Sequence, residues 1–313
     1  MELKKGLTFL DVFCIATGAM ISSGIFILPG FAFSRTGPSV IISYFLAGLL
    51  AIVGIMSVIE LSTAMPKAGG DYYFINRSLG PLVGTVSGFL GWAALSLKSA
   101  FAIFGISEII FLATGTDVII ASIIICLCFV FLNMIGVKTA ARFQVFLVMG
   151  LLALMALYVV LGLPKINASY FKPFAPKGIN PIFVTAGFIF ISFGGLLKIA
   201  SMSEEVKNPQ RNIPLGMLAS VGIVTVLYTL LLIATVGILD SVSFANSLTP
   251  IMDSAKIFMG TPGFIAISIA ALLAFITTAN AGIMSASRYP LALSRDSLVP
   301  HSIGKVHKKF KTP

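Results

Sequence analysis

Charged residues are scarce in this chain: they make up 10% of its 313 residues, whereas hydrophobic residues make up 58%. A soluble domain carries about 25% charged residues, so this composition excludes a soluble globular protein and predicts an integral membrane protein. The net charge of +10 does not require nucleic acid, because membrane proteins collect Lys and Arg on their cytoplasmic side. We therefore expect the lipid bilayer as a partner and no nucleic acid.

Histidine and cysteine are also rare. The two histidines, His301 and His307, lie in the C-terminal tail, so the apolar segments lack the cluster of Asp, His and Cys that an intramembrane enzyme would need. The three cysteines, Cys14, Cys126 and Cys128, all fall in apolar runs, and we expect free thiols without a disulfide framework. No cofactor, metal site or enzymatic activity is expected.

Long apolar segments fill most of the chain and predict an all-α integral membrane protein with about eight transmembrane helices. In chain order, segments one to eight are predicted at 8–31, 39–65, 82–112, 118–136, 143–163, 181–202, 213–239 and 263–287. A short helix is predicted in the outer loop, around 244–258. With the N-terminus inside, most of the 21 basic residues fall on the cytoplasmic side. This bias predicts a multi-pass protein of the cell membrane with a cytoplasmic N-terminus.

Segment one contains an unfavourable sequence for a continuous helix at residues 18–26, Gly-Ala-Met-Ile-Ser-Ser-Gly-Ile-Phe. Glycine and adjacent serines are poor helix formers, and a bilayer tolerates non-helical backbone only inside protein or a water-filled cavity. We predict two half-helices with an unwound joint near 21–24, whose backbone N–H groups face a bound anion such as a carboxylate. The alternative is a kinked helix whose glycines allow close packing.

Segment six has a similar weak point at Gly194-Gly195. Segment one runs from inside to outside in the predicted topology, and segment six runs from outside to inside. Two interrupted helices, five apart and oppositely oriented, indicate an inverted-repeat transporter.

Three connections carry further motifs. The first runs from Glu60 through Pro66 and Gly69-Gly70 to Tyr72; the second is Glu-Glu-Val-Lys-Asn-Pro-Gln-Arg-Asn-Ile-Pro at 204–214; the third is Ser-Arg at 287–288, followed by Arg-Asp at 295–296 and Pro at 300. Together with the joint, they resemble the amino acid–polyamine–organocation (APC) family of permeases over residues 16–300.

This resemblance implies a LeuT-like inverted-repeat transporter fold within one transmembrane domain, 1–313. The first repeat would cover about 8–163, a partial second repeat about 181–287, and a cytoplasmic tail 288–313. It also implies secondary active transport of amino acids or related amines by alternating access.

The resemblance further implies a substrate site at the two interruptions, although ordinary helix packing is the alternative. Ser22, Ser23 and Gly24 match the carboxylate-binding joint of the family. The positions that match those enclosing the amino group and side chain of the substrate are Met20, Ile191, Phe193 and Gly194.

The candidates for ion coupling or gating are Lys98, Lys198, Glu60, Thr277, Thr278 and Asn280. A charged Lys98 in the middle of segment three is costly unless it is paired or hydrated, and snorkelling is the alternative. Lys198 and Glu60 could form an ion pair at the inner gate, or stand as separate interfacial charges. The two threonines and the asparagine lie where related folds bind sodium, but helix–helix hydrogen bonds explain them equally well. We expect proton coupling, with sodium possible.

Two departures from the family pattern affect these expectations. The chain ends after segment eight, whereas a five-plus-five fold needs two more helices, so we expect an incomplete fold that does not transport by itself. Leu197 stands where many members carry an acidic residue, with Lys198 beside it, which weakens the assignment of a cationic substrate. A permease-like amino acid sensor and a non-transporting fragment are the competing hypotheses.

Overall fold

The computed structural model describes residues 3–307 and 312. The rest of the predicted tail, 308–311 and 313, lies outside the described residues, and so do the side chains of Ser23, Leu112 and Ala113. In chain order, the α-helices of the described part are α1 (Phe9–Met20), α2 (Ser23–Phe26), α3 (Leu28–Thr36), α4 (Val40–Ala64), α5 (Asp71–Leu79), α6 (Pro81–Thr114), α7 (Val118–Ile135), α8 (Val137–Gly162), α9 (Asn180–Ile189), α10 (Leu197–Ser201), α11 (Pro209–Ile238), α12 (Ser241–Asn246), α13 (Pro250–Ala286) and α14 (Arg288–Arg295).

The predicted all-α membrane fold is confirmed, but seven helical stretches of the described chain, rather than eight, are long and apolar enough to cross a membrane. The difference lies in segment one, because the chain leaves the helix after Met20 and re-enters it at Ser23. Because of this break, α1 is only a shorter apolar helix. The helices α3 and α4 together form one stretch that is long enough to span, Leu28–Ala64. Segments two to eight each correspond to one spanning stretch.

Several helix ends differ from the predicted ones. α13 begins at Pro250, well before the predicted 263, and a non-helical residue, Gly260 (φ 68°), divides it. The outer helix predicted at 244–258 is therefore two pieces, α12 and the first part of α13. The sequence also missed α5 and α14, because both are short and polar and carry no long apolar run.

The helix α1 lies at the centre of the bundle. It packs against α8, α11 and α13, and every residue from Asp11 to Met20 is buried. By contrast, only Ala121 and Phe129 of α7 are buried, as expected for a helix that faces lipid. The interrupted segment is therefore surrounded by protein, which is the setting that non-helical backbone requires inside a bilayer.

The most extensive helix contacts in the described bundle join α4 with α11, α6 with α13 and α8 with α13. The first two pair segment two with segment seven and segment three with segment eight, as an inverted repeat would; the third pairs segment five with segment eight. The repeat boundaries themselves stay a prediction.

The connections gather at two opposite ends of the bundle. At one end the N-terminal stretch pairs with the connection after segment six, because Lys207 N–H donates to Leu7 O over 2.8 Å. At the other end Ser39 N–H donates to Phe174 O over 2.9 Å, and Asn167 N–H to Gly237 O over 2.7 Å. The predicted sidedness of these loops is consistent with this grouping, and which end is cytoplasmic stays a prediction.

Candidate functional site

The predicted break in segment one is present. α1 ends at Met20, Ile21 has extended backbone (φ −75°, ψ 102°), and α2 opens at Ser23. Ser22 is buried, and Gly24 lies in the first turn of α2 rather than in the unwound joint as predicted. The first N–H groups of a helix have no partner within it, so those of Ser23 and Gly24 have none within α2.

Segment six is also interrupted where the sequence predicts it. α9 ends at Ile189, a single 3₁₀ turn covers Phe190–Phe193, and α10 begins only at Leu197. Gly194 and Gly195 form the turn between these pieces, and Gly194 N–H donates to Ile191 O over 3.1 Å.

The two breaks touch each other in the interior. A Cβ atom on Gly24 would lie 2.5 Å from Ser192 Oγ, and a Cβ atom on Gly195 would lie 2.5 Å from Ala19 O. Both glycines are therefore required by the close approach of segments one and six. Ser192 Oγ is buried and has no hydrogen-bond partner in the described part of the chain, so a polar group stands unpaired where the breaks meet.

Two buried tyrosines hold the backbone on either side of the break in segment one. Tyr228 OH donates to Met20 O over 3.1 Å, and Tyr44 OH donates to Gly24 O over 2.8 Å. The ring of Phe193 lies 5.8 Å from that of Tyr228, and Tyr44 meets Tyr228 edge to face. Neither tyrosine is among the site residues predicted from the sequence. A tyrosine inside an apolar segment is the sequence feature that could have indicated them, because a buried hydroxyl needs a hydrogen-bond partner.

Not every predicted site residue reaches this buried contact. Met20 and Phe193 are buried beside it. The side chain of Ile191 is 69% exposed, and Gly194 is exposed as well. The role of Ile191 and Gly194 in enclosing a substrate stays a prediction.

The helix α13 contacts segment one just before its break. Thr277 and Thr278 hydroxyls both donate to Gly18 O, over 3.4 and 3.0 Å. Asn280 turns away from the joint, because its Nδ2 donates to Gln144 Oε1 on α8 over 2.9 Å. The two predicted threonines thus reach the joint, whereas Asn280 belongs to a helix–helix hydrogen-bond network.

Both predicted lysines reach the interior. Lys198 is completely buried, and its Nζ donates to Thr278 O over 3.1 Å. Lys98 is half-buried, and its Nζ donates to Ala19 O over 3.4 Å.

The predicted ion pair between Lys198 and Glu60 does not form. The side chain of Glu60 is exposed, whereas Lys198 turns inward toward α13. The two groups therefore do not pair, and the alternative of two interfacial charges does not describe Lys198 either, because Lys198 is completely buried.

A family model described as amino acid permease matches residues 7–313 of this chain. The chain belongs to the amino acid permease family. The resemblance drawn from the four motifs is therefore confirmed.

Three relatives show the range of named transporters to which this permease is similar. It is 29% identical to the methylthioribose transporter of Bacillus subtilis, over all of this chain and 72% of that protein. It is 27% identical to the branched-chain amino acid permease BcaP of Bacillus subtilis, again over all of this chain and 72% of that protein. It is 27% identical to cationic amino acid transporter 5 of Arabidopsis thaliana, over all of this chain and 58% of that protein.

Two ion pairs lie at one end of this permease. Arg288 Nε donates to Glu205 Oε1 over 2.7 Å, and both side chains are buried. Arg295 pairs with Glu204 over 2.6 Å, and Ala68 N–H donates to the same carboxylate over 3.0 Å. Burial alone raises the pKa of Glu204, but its hydrogen bonds with Arg295 and the backbone outweigh this effect and leave the pKa lowered. The motifs at 204–214 and 287–300 thus meet in space, which the sequence did not show.

Proposed function

We propose that this permease carries amino acids across the cell membrane by secondary active transport, and that it holds the substrate where the breaks of segments one and six meet. The buried Ser192 hydroxyl, which has no partner among the described residues and faces Gly24 at the break of segment one, is the observation that carries this proposal. The names of several relatives, which include amino acid permeases and transporters, support an amino acid as the substrate.

The carboxylate of the substrate sits at the opening of α2 in this proposal. Backbone N–H groups and the positive end of a helix favour a negative charge, and Ser22, Ser23 and Gly24 supply these groups. A second donor supports the same position, because the buried Ser192 hydroxyl has no partner among the described residues.

The ammonium group and side chain of the substrate lie on the other side of the break. The Met20 and Gly24 carbonyls each accept one tyrosine hydroxyl, and a carbonyl oxygen has a second lone pair for a substrate ammonium. Phe193 and Tyr228 provide an aromatic wall for an apolar side chain.

Alternating access requires one end of the bundle to open while the other closes. The pairs of Arg288 with Glu205 and Arg295 with Glu204 close the end that we assign to the cytoplasm. Opening this end separates α14 from the connection that follows α10. We propose that a proton drives the cycle, with Lys98 and Lys198 as the groups that can exchange it beside the joint.

Uptake measured beside equilibrium binding tests the proposed function. Purified protein of residues 1–313 is reconstituted into vesicles, and a panel of amino acids is tested for binding and for accumulation inside them. We expect saturable binding of at least one amino acid. Accumulation that an inward proton gradient increases would support transport by residues 1–313 and would contradict the expectation that this chain does not transport by itself. Methylthioribose belongs in the panel because of the name of one relative.

Each result separates one hypothesis from another. Accumulation without a response to the proton gradient contradicts proton coupling and leaves transport intact. Binding without accumulation contradicts transport by this chain and supports the sensor or the non-transporting fragment. Binding of methylthioribose without any amino acid contradicts the substrate class.

A further inference from the structure

Lys98 and Lys198 lie beside the joint without an acidic partner. Lys198 Nζ makes one hydrogen bond, to Thr278 O, and Lys98 Nζ makes one, to Ala19 O, within the described part of the chain. An ammonium group has three donors. Each lysine therefore keeps donors that no described group satisfies.

The two lysines come from different helices to the same place. Both α6, which carries Lys98, and α10, which carries Lys198, meet α13 at Gly282. A Cβ atom on Gly282 would collide with the hydroxyl of Ser99, next to Lys98, and would lie 3.5 Å from Lys198 Nζ. Lys98 Nζ donates to Ala19 O, and Lys198 Nζ donates to the carbonyl of Thr278, whose hydroxyl donates to the neighbouring Gly18 O.

The carboxylates of the helices around this place are occupied or distant. On α1, Asp11 accepts from Thr8, one helix length away from Ala19. On α13, Asp253 accepts from Ser247, before the kink at Gly260. On α6, Glu108 is ten residues beyond Lys98, about 15 Å along the helix. The ion pairs among the described residues all involve arginines at one end of the bundle.

We propose that Lys98 and Lys198 form a binding site for a small anion next to the joint. When both lysines are protonated, two ammonium groups inside a membrane protein are costly without a counter-charge, and their free donors suit carboxylate oxygens or a halide. The anion is either a second carboxylate, carried by the side chain of the substrate, or a separate small ion. The first source rests on the proposed function and the second does not.

A consequence for selectivity follows from this site. A substrate with a cationic side chain would meet two positive charges and no described carboxylate near the joint. This permease should therefore disfavour cationic amino acids, in contrast to the named substrates of some relatives.

Anion-dependent thermal stability of the purified protein tests the site. The midpoint of unfolding is followed while sodium formate or sodium chloride replaces sodium gluconate at constant ionic strength. In a second arm, glutamate is compared with glutamine and aspartate with asparagine. The variants are Lys98→Met, Lys198→Met and the charge-retaining Lys198→Arg, and the control is Lys138→Met, because Lys138 is exposed at the start of α8.

We expect apparent binding of the anion to weaken at least tenfold in Lys198→Met and Lys98→Met, and to be unchanged in Lys138→Met and largely kept in Lys198→Arg. A response to formate or chloride identifies a separate ion. A preference for the acidic amino acid over its amide, without such a response, identifies a carboxylate of the substrate. If Lys198→Met does not fold, anion binding is compared between Lys98→Met, which should weaken it, and Lys198→Arg, which should largely keep it.

The proposal is overturned if neither arm shows a preference for the anion, or if Lys98→Met and Lys198→Met keep it. The binding of neutral amino acids, measured in the same samples, reports separately on the joint. Normal binding of a neutral amino acid without any anion response overturns the anion site alone. An anion response without amino acid binding overturns the proposed function alone.

Discussion

Gly24→Leu is expected to abolish the binding of amino acids to this permease. Even the Cβ atom of the new side chain would lie 2.5 Å from Ser192 Oγ, so segments one and six must move apart at their breaks. Overpacking of this kind costs about 1–3 kcal/mol, and here it falls on the groups proposed to hold the carboxylate. We expect the dissociation constant to rise at least about 100-fold, which corresponds to about 2.7 kcal/mol.

The matched control is Gly187→Leu. Gly187 lies on α9 of segment six, and a Cβ atom there meets nothing within 4 Å. This variant should bind amino acids as the unmodified chain does. Gly24→Ala combined with Ser192→Gly should regain part of the stability lost in Gly24→Ala, because it removes the hydroxyl that the new Cβ meets. Unchanged affinity in a folded Gly24→Leu variant would rule out a site between the breaks.

Arg288→Met is expected to cause the largest loss of stability among substitutions at the closed end. The Arg288 and Glu205 side chains are 3% and 0% exposed, and removing one partner of a buried pair leaves an uncompensated charge. Such a loss costs about 3–5 kcal/mol. The free energy of unfolding, measured by denaturant titration in mixed micelles, should fall by this amount.

Arg77→Met provides the control for Arg288→Met. Arg77 pairs with Asp296 over 3.5 Å, but its side chain is 52% exposed, and exposed pairs contribute only about 0–1 kcal/mol. The double variant Glu205→Gln/Arg288→Met should lose less stability than Arg288→Met, because no buried charge is left behind. Equal losses in Arg288→Met and Arg77→Met would show that the buried pair does not hold this end closed.

Both chain breaks could be predicted from the sequence because local preferences determine them. Ser22 and Gly24 weaken the helix of segment one, as Gly194 and Gly195 weaken that of segment six, and nothing in the surrounding bundle restores either helix. The hydrophobic runs also predicted the spanning helices, apart from the one that the break itself shortens.

The groups that complete the site could not be predicted, because distant parts of the chain supply them. Tyr44 and Tyr228 reach carbonyls 20 and 208 residues away in the chain, and periodicity does not reveal such a contact. The ion pair between Glu60 and Lys198 was wrong for a related reason. The position of each residue along its helix could be predicted from the sequence, but the direction in which its side chain points depends on tertiary packing.

The central claim is that the meeting breaks hold the carboxylate of an amino acid. The most direct measurement compares the equilibrium affinity of a bound amino acid with that of the amine obtained by removing its carboxylate. Hydrogen bonds to a charged group are worth about 1.5–3 kcal/mol each, so we expect the amine to bind at least about 100-fold more weakly. Equal affinity for the amino acid and its amine would contradict this account.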